Sequence, residues 1–274
     1  MFPTFELFGK TIGMYGVMIV IGAAMCLLVC NFLRKKYDIN LDDLILVMIA
    51  IGIGAAVGGH IIYGITNFNI IIQAFSHIKD FWAKDFFQLL GYAFGGMVFY
   101  GGFLGAIAAI LIYTKHSKVL KRDEILDIFA VGVPLFHTFG RIGCFLGGCC
   151  YGVESKFGFT VYDNQLNPSI NGVNRLPLQL IESLCNLLIF FVMLYLFKKC
   201  IMEKRLIFIY MLIYAPVRFI LEFWRGDTYR GFLFGLSTSQ WISILLVILA
   251  TTMLIVYSKK KAQTQKAEYK HPIE

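Results

Sequence analysis

Apolar residues in this chain fall into blocks close to 20 residues long, and basic residues collect at alternate ends of those blocks. A helix rises about 1.5 Å per residue, so each block matches a bilayer hydrocarbon core of about 30 Å. Composition agrees: the 274 residues are 58% hydrophobic and 15% charged, with a mean hydropathy of +0.71. Soluble domains carry about 25% charged residues. The sequence therefore predicts an all-α polytopic integral membrane protein built as one domain.

The pattern predicts seven spans, near 12–33, 42–65, 96–114, 124–146, 178–197, 206–224 and 238–257. Arg34, Lys35 and Lys36 follow the first; Lys115, Lys118, Lys121 and Arg122 follow the third. Lys198, Lys199, Lys204 and Arg205 follow the fifth, and Lys259, Lys260, Lys261, Lys266 and Lys270 follow the seventh. These alternate ends hold 16 of the 25 lysines and arginines, which sets the amino terminus outside and the carboxyl terminus in the cytoplasm. The net charge of +8 is thereby explained as topology, with a basic tail at 258–274 that can touch anionic lipid. No basic patch with interleaved aromatic readers accompanies it, so nucleic acid is not an expected partner. A cleaved signal peptide is not expected either, because the first apolar block ends in a basic stop rather than a small-residue cleavage site.

Two segments on the outer side exceed a tight turn. Residues 66–95 place Phe81, Trp82, Phe86 and Phe87 among Lys79, Asp80, Lys84 and Asp85, the pattern of an interfacial arm. Residues 147–177 are rich in Gly, Asn and Pro, with a strand-like stretch from Phe157 to Tyr162, and read as a small extracytoplasmic cap. Glycines at 54 and 58, and at 101, 102 and 105, mark close helix packing; Gly101 and Gly102 can alternatively leave room for a lipid.

Polar residues inside the spans point to function. Arg141 keeps its proton under all ordinary conditions, and an intramembrane arginine costs about 2.5–3.5 kcal/mol on insertion scales. His137, Arg141 and Cys144 repeat at i, i+4 and i+7 and share a helix face. Tyr214, Arg218, Glu222 and Arg225 repeat the spacing on the sixth span. Counted from the inner ends, Arg141 lies roughly 22–26 Å up and Arg218 roughly 18 Å up, both in the outer half of the bilayer. Two planar guanidinium forks at one level suit a phosphate. The bland alternative is internal pairing, which is natural for Glu222 with Arg218 or Arg225. For Arg141 it is less so, since no acid shares its face. Tyr15, Tyr100 and Tyr214 add hydroxyls, and His60 an imidazole, within apolar helices. Cys144, Cys149 and Cys150, with His137, raise a metal site. Their C-x4-C-C spacing lacks the paired C-x2-C of common zinc sites, so packing thiols or a catalytic thiol are preferred and no metal is expected.

The run His137 to Gly152, centred on Gly140-Arg141-Ile142-Gly143, resembles the signature of the bacterial prolipoprotein diacylglyceryl transferases. Met14-Tyr15-Gly16 is similar to that family's first-helix motif and Gly95-Gly96-Met97 through Gly105 to its third-helix segment. Pro177-Leu178-Gln179 with Glu182, and Tyr214-Ala215-Pro216-Val217-Arg218 through Arg225, resemble its fifth and sixth helices. The resemblance implies transfer of the diacylglyceryl group of phosphatidylglycerol to the lipobox cysteine of prolipoproteins in the bacterial cytoplasmic membrane, without a cofactor. It implies a catalytic set of Tyr100, Arg141, Arg218 and Glu222. Substrate would be bound by Tyr15, His60, His137, Gly140, Gly143, Cys144, Tyr214 and Arg225. The chain departs from the family in having Tyr100 where a histidine is usual, His60 for an arginine, and Cys144 and Cys149 for Asn and Glu. Two other functions fit the polar spans: a related phospholipid-dependent transferase with another acceptor, and a lipid or solute transporter. No inverted repeat or paired interrupted helices favour the latter.

Overall fold

The computed structural model describes residues 3–66, 68, 72, 99–117, 119–165, 167–227 and 232–270. The expected arm at 66–95 thus lies almost wholly outside the described residues. The chain divides into two compact units, one of residues 1–32 with 126–274 and one of residues 33–125.

Seven long helices stand among the described residues: α1 (Met14–Leu33), α2 (Leu41–Thr66), α3 (Phe99–His116), α4 (Arg122–Gly147), α5 (Leu178–Lys198), α6 (Leu206–Leu221) and α7 (Thr238–Lys270). Six stretches are long and apolar enough to cross a membrane: Met14–Tyr37, Leu41–Ile65, Arg122–Gly147, Leu178–Lys198, Leu206–Trp224 and Thr238–Lys259. The third of the seven expected spans is not among them, because residues 96–98 lie outside the described set and α3 ends in Thr-Lys-His. The molecule is a helical polytopic membrane protein. Leucines, isoleucines and phenylalanines such as Leu46, Ile53, Leu188 and Leu245 face outward, as lipid-facing helices require.

In the smaller unit, α2 and α3 pack through their glycines. A Cβ on Gly58 would come within 2.3 Å of the Gly101 carbonyl oxygen, and one on Gly105 within 2.0 Å of that of Gly54. Gly101 therefore serves backbone approach, and a Cβ on Gly102 would lie 3.3 Å from the Ala55 carbonyl oxygen. In lipid, where no hydrophobic effect drives helices together, such contact supplies the dispersion and Cα–H···O attraction that holds a pair.

In the larger unit, α1 rides along α4 by the same device. Gly132 faces the thiols of Cys26 and Cys30, Gly140 faces Ile19, and Gly143 faces Met18 and Tyr15. Asp127, fully buried at the start of α4, accepts hydrogen bonds from the backbone amides of Lys204 and Leu206. A carboxylate at the first turn of α6 satisfies donors that the helix cannot and opposes the positive end of its dipole. It also sets α4 and α6 running the same way from one level. Farther along, the hydroxyl of Thr138 lies 3.5 Å from the Ser183 carbonyl, and that of Ser183 bonds the Thr138 carbonyl at 3.0 Å, locking α4 to α5.

Small sheets close the ends of the helices. β1 (Thr4–Leu7) pairs antiparallel with β2 (Lys10–Gly13) ahead of α1. β3 (Glu154–Thr160) pairs antiparallel with β4 (Asn174–Arg175) within the expected cap, and β5 (Phe232–Leu233) with β6 (Leu236–Ser237) ahead of α7. The strand at β3 begins three residues earlier than the sequence reading places it, and α7 continues through the basic residues to Lys270. After Leu221, α6 tightens into a 3-10 turn, Glu222–Trp224, and Arg225 is extended. The helical register that would have put Arg225 under Glu222 ends there.

Candidate active site

Three helices of the larger unit bring their polar residues together. Asp127 and Leu206 mark a common level, and from it Arg141 is 14 residues up α4 and Arg218 is 12 residues up α6. At 1.5 Å per residue these are heights of about 21 and 18 Å, less than one helical turn apart. α5 runs the opposite way, so Glu182, in its first turn and a half, arrives at the same height.

Glu182 is the centre of the cluster. Its Oε1 lies 3.0 Å from Arg141 Nη2 and 4.0 Å from Arg218 Nε, and it is almost fully buried. Glu222 Oε2 lies 2.8 Å from Arg218 Nη2, which also donates to the Ser239 hydroxyl at 3.2 Å. Arg141 thus has a carboxylate partner after all. It comes from another helix, where the spacing of α4 cannot reveal it. The Arg141–Glu182 approach is an ion pair by distance rather than an aligned hydrogen bond: Glu182 Oε1 is buried with no aligned donor among the described residues. Arg218 Nη1 is likewise buried and without a hydrogen-bond acceptor among them. Two guanidiniums and two carboxylates sum to zero, which makes the cluster tolerable in an apolar surround. Its hydrogen-bonding capacity stays partly unused, and a buried donor left so costs about 1–3 kcal/mol.

Aromatic and imidazole groups wall one side. His137 Nδ1 is 3.3 Å from the Tyr210 hydroxyl, and its ring centroid is 5.5 Å from that of Tyr214. Tyr210 and Tyr214 stack at 5.6 Å, and the Tyr214 hydroxyl is within electrostatic reach of Arg141. Tyr15 sits in the first turn of α1, half exposed, with its ring against Gly143. Gly140 and Gly143 serve the approach of α1 to α4. His60 and Tyr100 belong to the other unit: His60 lies half-buried on α2, and the Tyr100 side chain is outside the described residues.

The sequence reading named Gln179 and Glu182 of α5 only as a family motif and gave them no part in the site. Gln179, Glu182, Ser183 and Asn186 recur at helical spacing and are all buried. A polar stripe on an otherwise lipid-compatible helix was the available signal.

Arg225 takes a different place from the one its spacing suggests. It binds Asp227 at 2.9 and 2.6 Å, and its backbone bridges to Gly152. Burial works against its charge, but the Asp227 hydrogen bond and the nearby Cys150 hold its pKa above the ordinary value. The same strap includes Val153 N donating to Trp224 O at 2.9 Å and Gly226 N to Tyr151 O at 2.9 Å, which fastens the exit of α4 to the exit of α6. Cys144, Cys149 and Cys150 converge there, their sulfurs all within 4.8 Å of one another. Hydrogen bonds from Cys144 and Cys149 pull the Cys150 thiol well below the usual range despite burial, and the charges of Arg225 and Arg141 add to this. Cys149 is pushed up in turn by its hydrogen bonds to Cys144 and Cys150 and by burial. His137 stays with the tyrosines and is no part of that group.

The sequence profile described as "Prolipoprotein diacylglyceryl transferase" matches residues 3–256. A Clostridium tetani protein named phosphatidylglycerol–prolipoprotein diacylglyceryl transferase is 34% identical over 247 residues, spanning 89% of this chain and 93% of that one. A Clostridium perfringens protein of the same name, numbered 2, is 34% identical over 89% of this chain and 90% of its own length. A Campylobacter jejuni protein of that name is 29% identical over 94% of this chain and 93% of its own. Matched over nearly its whole length, the chain belongs to the prolipoprotein diacylglyceryl transferase family.

Proposed function

We propose that the protein transfers the diacylglyceryl group of phosphatidylglycerol to the lipobox cysteine thiol of prolipoproteins and releases glycerol phosphate; its relatives are named phosphatidylglycerol–prolipoprotein diacylglyceryl transferases. The observation that supports this most is the pair of buried guanidiniums, Arg141 and Arg218, held at one height by Glu182 with donor capacity to spare. In the reaction, sulfur forms a bond to the glycerol carbon while the carbon–oxygen bond to phosphate breaks. The thiol proton leaves to a base, and the phosphodiester monoanion becomes a monoester carrying further negative charge. Arg141 and Arg218 bind the phosphate oxygens by planar forks and offset the charge that grows there. Because the Arg141–Glu182 contact lacks an aligned hydrogen bond, a phosphate oxygen can take up donors that Glu182 leaves unused. Glu222 orients Arg218. His137, Tyr214, Tyr15 and Cys144 line the lipid side, Gly140 and Gly143 let α1 lie close against α4 there, and Arg225 supports the cap.

Tyr100 is the proton relay in this reading, with His60 beside the lipid, both assigned from the family resemblance. The protein spans the bacterial cytoplasmic membrane seven times with its amino terminus outside. It forms a single transferase domain with an outer arm at 66–95, a cap at 147–177 and a basic cytoplasmic tail at 258–274. It needs no cofactor. The test uses purified protein, phosphatidylglycerol labelled in its acyl chains and a lipobox peptide with a free cysteine. Label moves to the peptide with the native protein; Arg141→Ala reduces the rate by at least about a hundredfold, the scale of losing one charge-stabilising donor. Tyr100→Phe lowers turnover while leaving lipid binding intact. Full activity of Tyr100→Phe removes the relay role, and no transfer by the native protein removes the reaction.

A further inference from the structure

Cys149 and Cys150 have no part in the proposed reaction, yet the fold assembles them with Cys144 at the C-terminal end of α4. Neighbouring side chains ordinarily diverge, which is why the C-x4-C-C spacing argues against a shared ligand. Here the backbone turns left-handed twice, at Gly148 (φ 78°) and Cys150 (φ 57°), and this brings adjacent thiols round to the same side as Cys144. Gly148 favours glycine twice over, since its φ of +78° strains any side chain and a Cβ would fall 2.2 Å from Asn164 Nδ2, which would have to shift. Three side-chain amides hold the loop carbonyls: Asn164 on Gly147 at 3.5 Å, Asn167 on Gly148 at 3.0 Å and Gln179 on Cys149 at 2.8 Å. The loop is built, and what it builds is a triangle of sulfurs within 4.8 Å of one another. Arg141 Nη1, 3.9 Å from Cys144 Sγ, lends positive charge to the rim.

We propose that Cys144, Cys149 and Cys150 form a three-coordinate thiolate site for a soft monovalent cation, Cu(I) being the natural occupant. Three sulfurs about 2.3 Å from a central ion, the length of a zinc–thiolate bond, stand about 4.0 Å apart, so the triangle closes by less than an ångström. Thiolates select soft ions, and a d10 monovalent ion accepts a trigonal sulfur set. Structural zinc takes four ligands, and the described residues offer no fourth: His137, the other donor that the sequence raises, is turned to Tyr210. The site stands on its own geometry and does not depend on the lipid reaction.

The test titrates the full-length protein in detergent, anaerobic and reduced, with Cu(I) against a chromogenic Cu(I) chelator, and reads the ligands by X-ray absorption. A competing site exists in the buried pair Cys26 and Cys30, whose sulfurs are 3.9 Å apart, so it serves as the control. One tightly held Cu(I) with three sulfur neighbours is expected. It is lost in Cys149→Ser/Cys150→Ser and kept in Cys26→Ser/Cys30→Ser. If the double variant does not fold, Cys150→Ser alone is expected to weaken affinity by at least about tenfold. Copper kept by the triad variants, a two-sulfur spectrum, or no competition with the chelator overturns the proposal.

Discussion

Glu182 shows how a single carboxylate organises the site. It lies between two guanidiniums, one at 3.0 Å and one at 4.0 Å, and is nearly inaccessible to solvent. Glu182→Gln keeps the shape and removes the charge, leaving Arg141 and Arg218 facing each other with Glu222 alone to balance them. Breaking a buried charge cluster in this way costs about 3–5 kcal/mol. The variant is expected to unfold at a clearly lower temperature in detergent, and added phosphatidylglycerol is expected to restore part of the loss by supplying a replacement anion. Unchanged stability would mean that Glu182 does not balance the pair. Arg141 and Arg218 were legible in the sequence because a charge within a span is costly and stands out. Glu182 was not singled out as a site residue, because its partners lie on other helices and no spacing along α5 records them. Arg225 went the other way: its spacing fitted the sixth helix, but the 3-10 turn at Glu222–Trp224 ends the register that the argument assumed.

At the scale of elements, small residues and buried polar latches hold the helices together alongside buried apolar side chains such as Ile128 and Met193. The α2–α3 pair rests on glycines whose missing Cβ atoms let backbone meet backbone. Gly58→Val would drive a side chain into the Gly101 carbonyl, which cannot move aside as a flexible side chain would. Overpacking costs about 1–3 kcal/mol where neighbours can relax, and more is expected here. A lower yield of monodisperse protein and a lower unfolding temperature are the readouts; wild-type behaviour would show that the helices part without penalty. The same glycines were visible in the sequence as packing marks, whereas the convergence of Cys144, Cys149 and Cys150 was not. It depends on the left-handed backbone at Cys150, a conformation that a cysteine in the sequence does not announce.

Across the whole molecule, the spans and their charged ends were the most legible features, since lipid admits few alternatives to an apolar helix of fixed length. Six of the seven expected spans appear as candidate membrane helices, and the third begins among residues outside the described set. The proposed orientation puts the turn between α5 and α6 in the cytoplasm and the α4 exit loop outside. Cys200 and Cys149, both exposed, report on these two places. With single-cysteine versions, a membrane-impermeant maleimide is expected to label Cys149 in intact spheroplasts and Cys200 only after lysis. The reverse pattern would invert the topology.

Whether Arg141 and Arg218 hold a lipid phosphate is measured most directly by lipid binding. Purified native protein, Arg141→Ala and Arg218→Ala would each be titrated with phosphatidylglycerol and, separately, with diacylglycerol, which has the same tails and no phosphate. The native protein is expected to prefer phosphatidylglycerol, and either substitution to remove that preference while diacylglycerol binding changes little. Equal preference for phosphatidylglycerol in the native and both substituted proteins would contradict it.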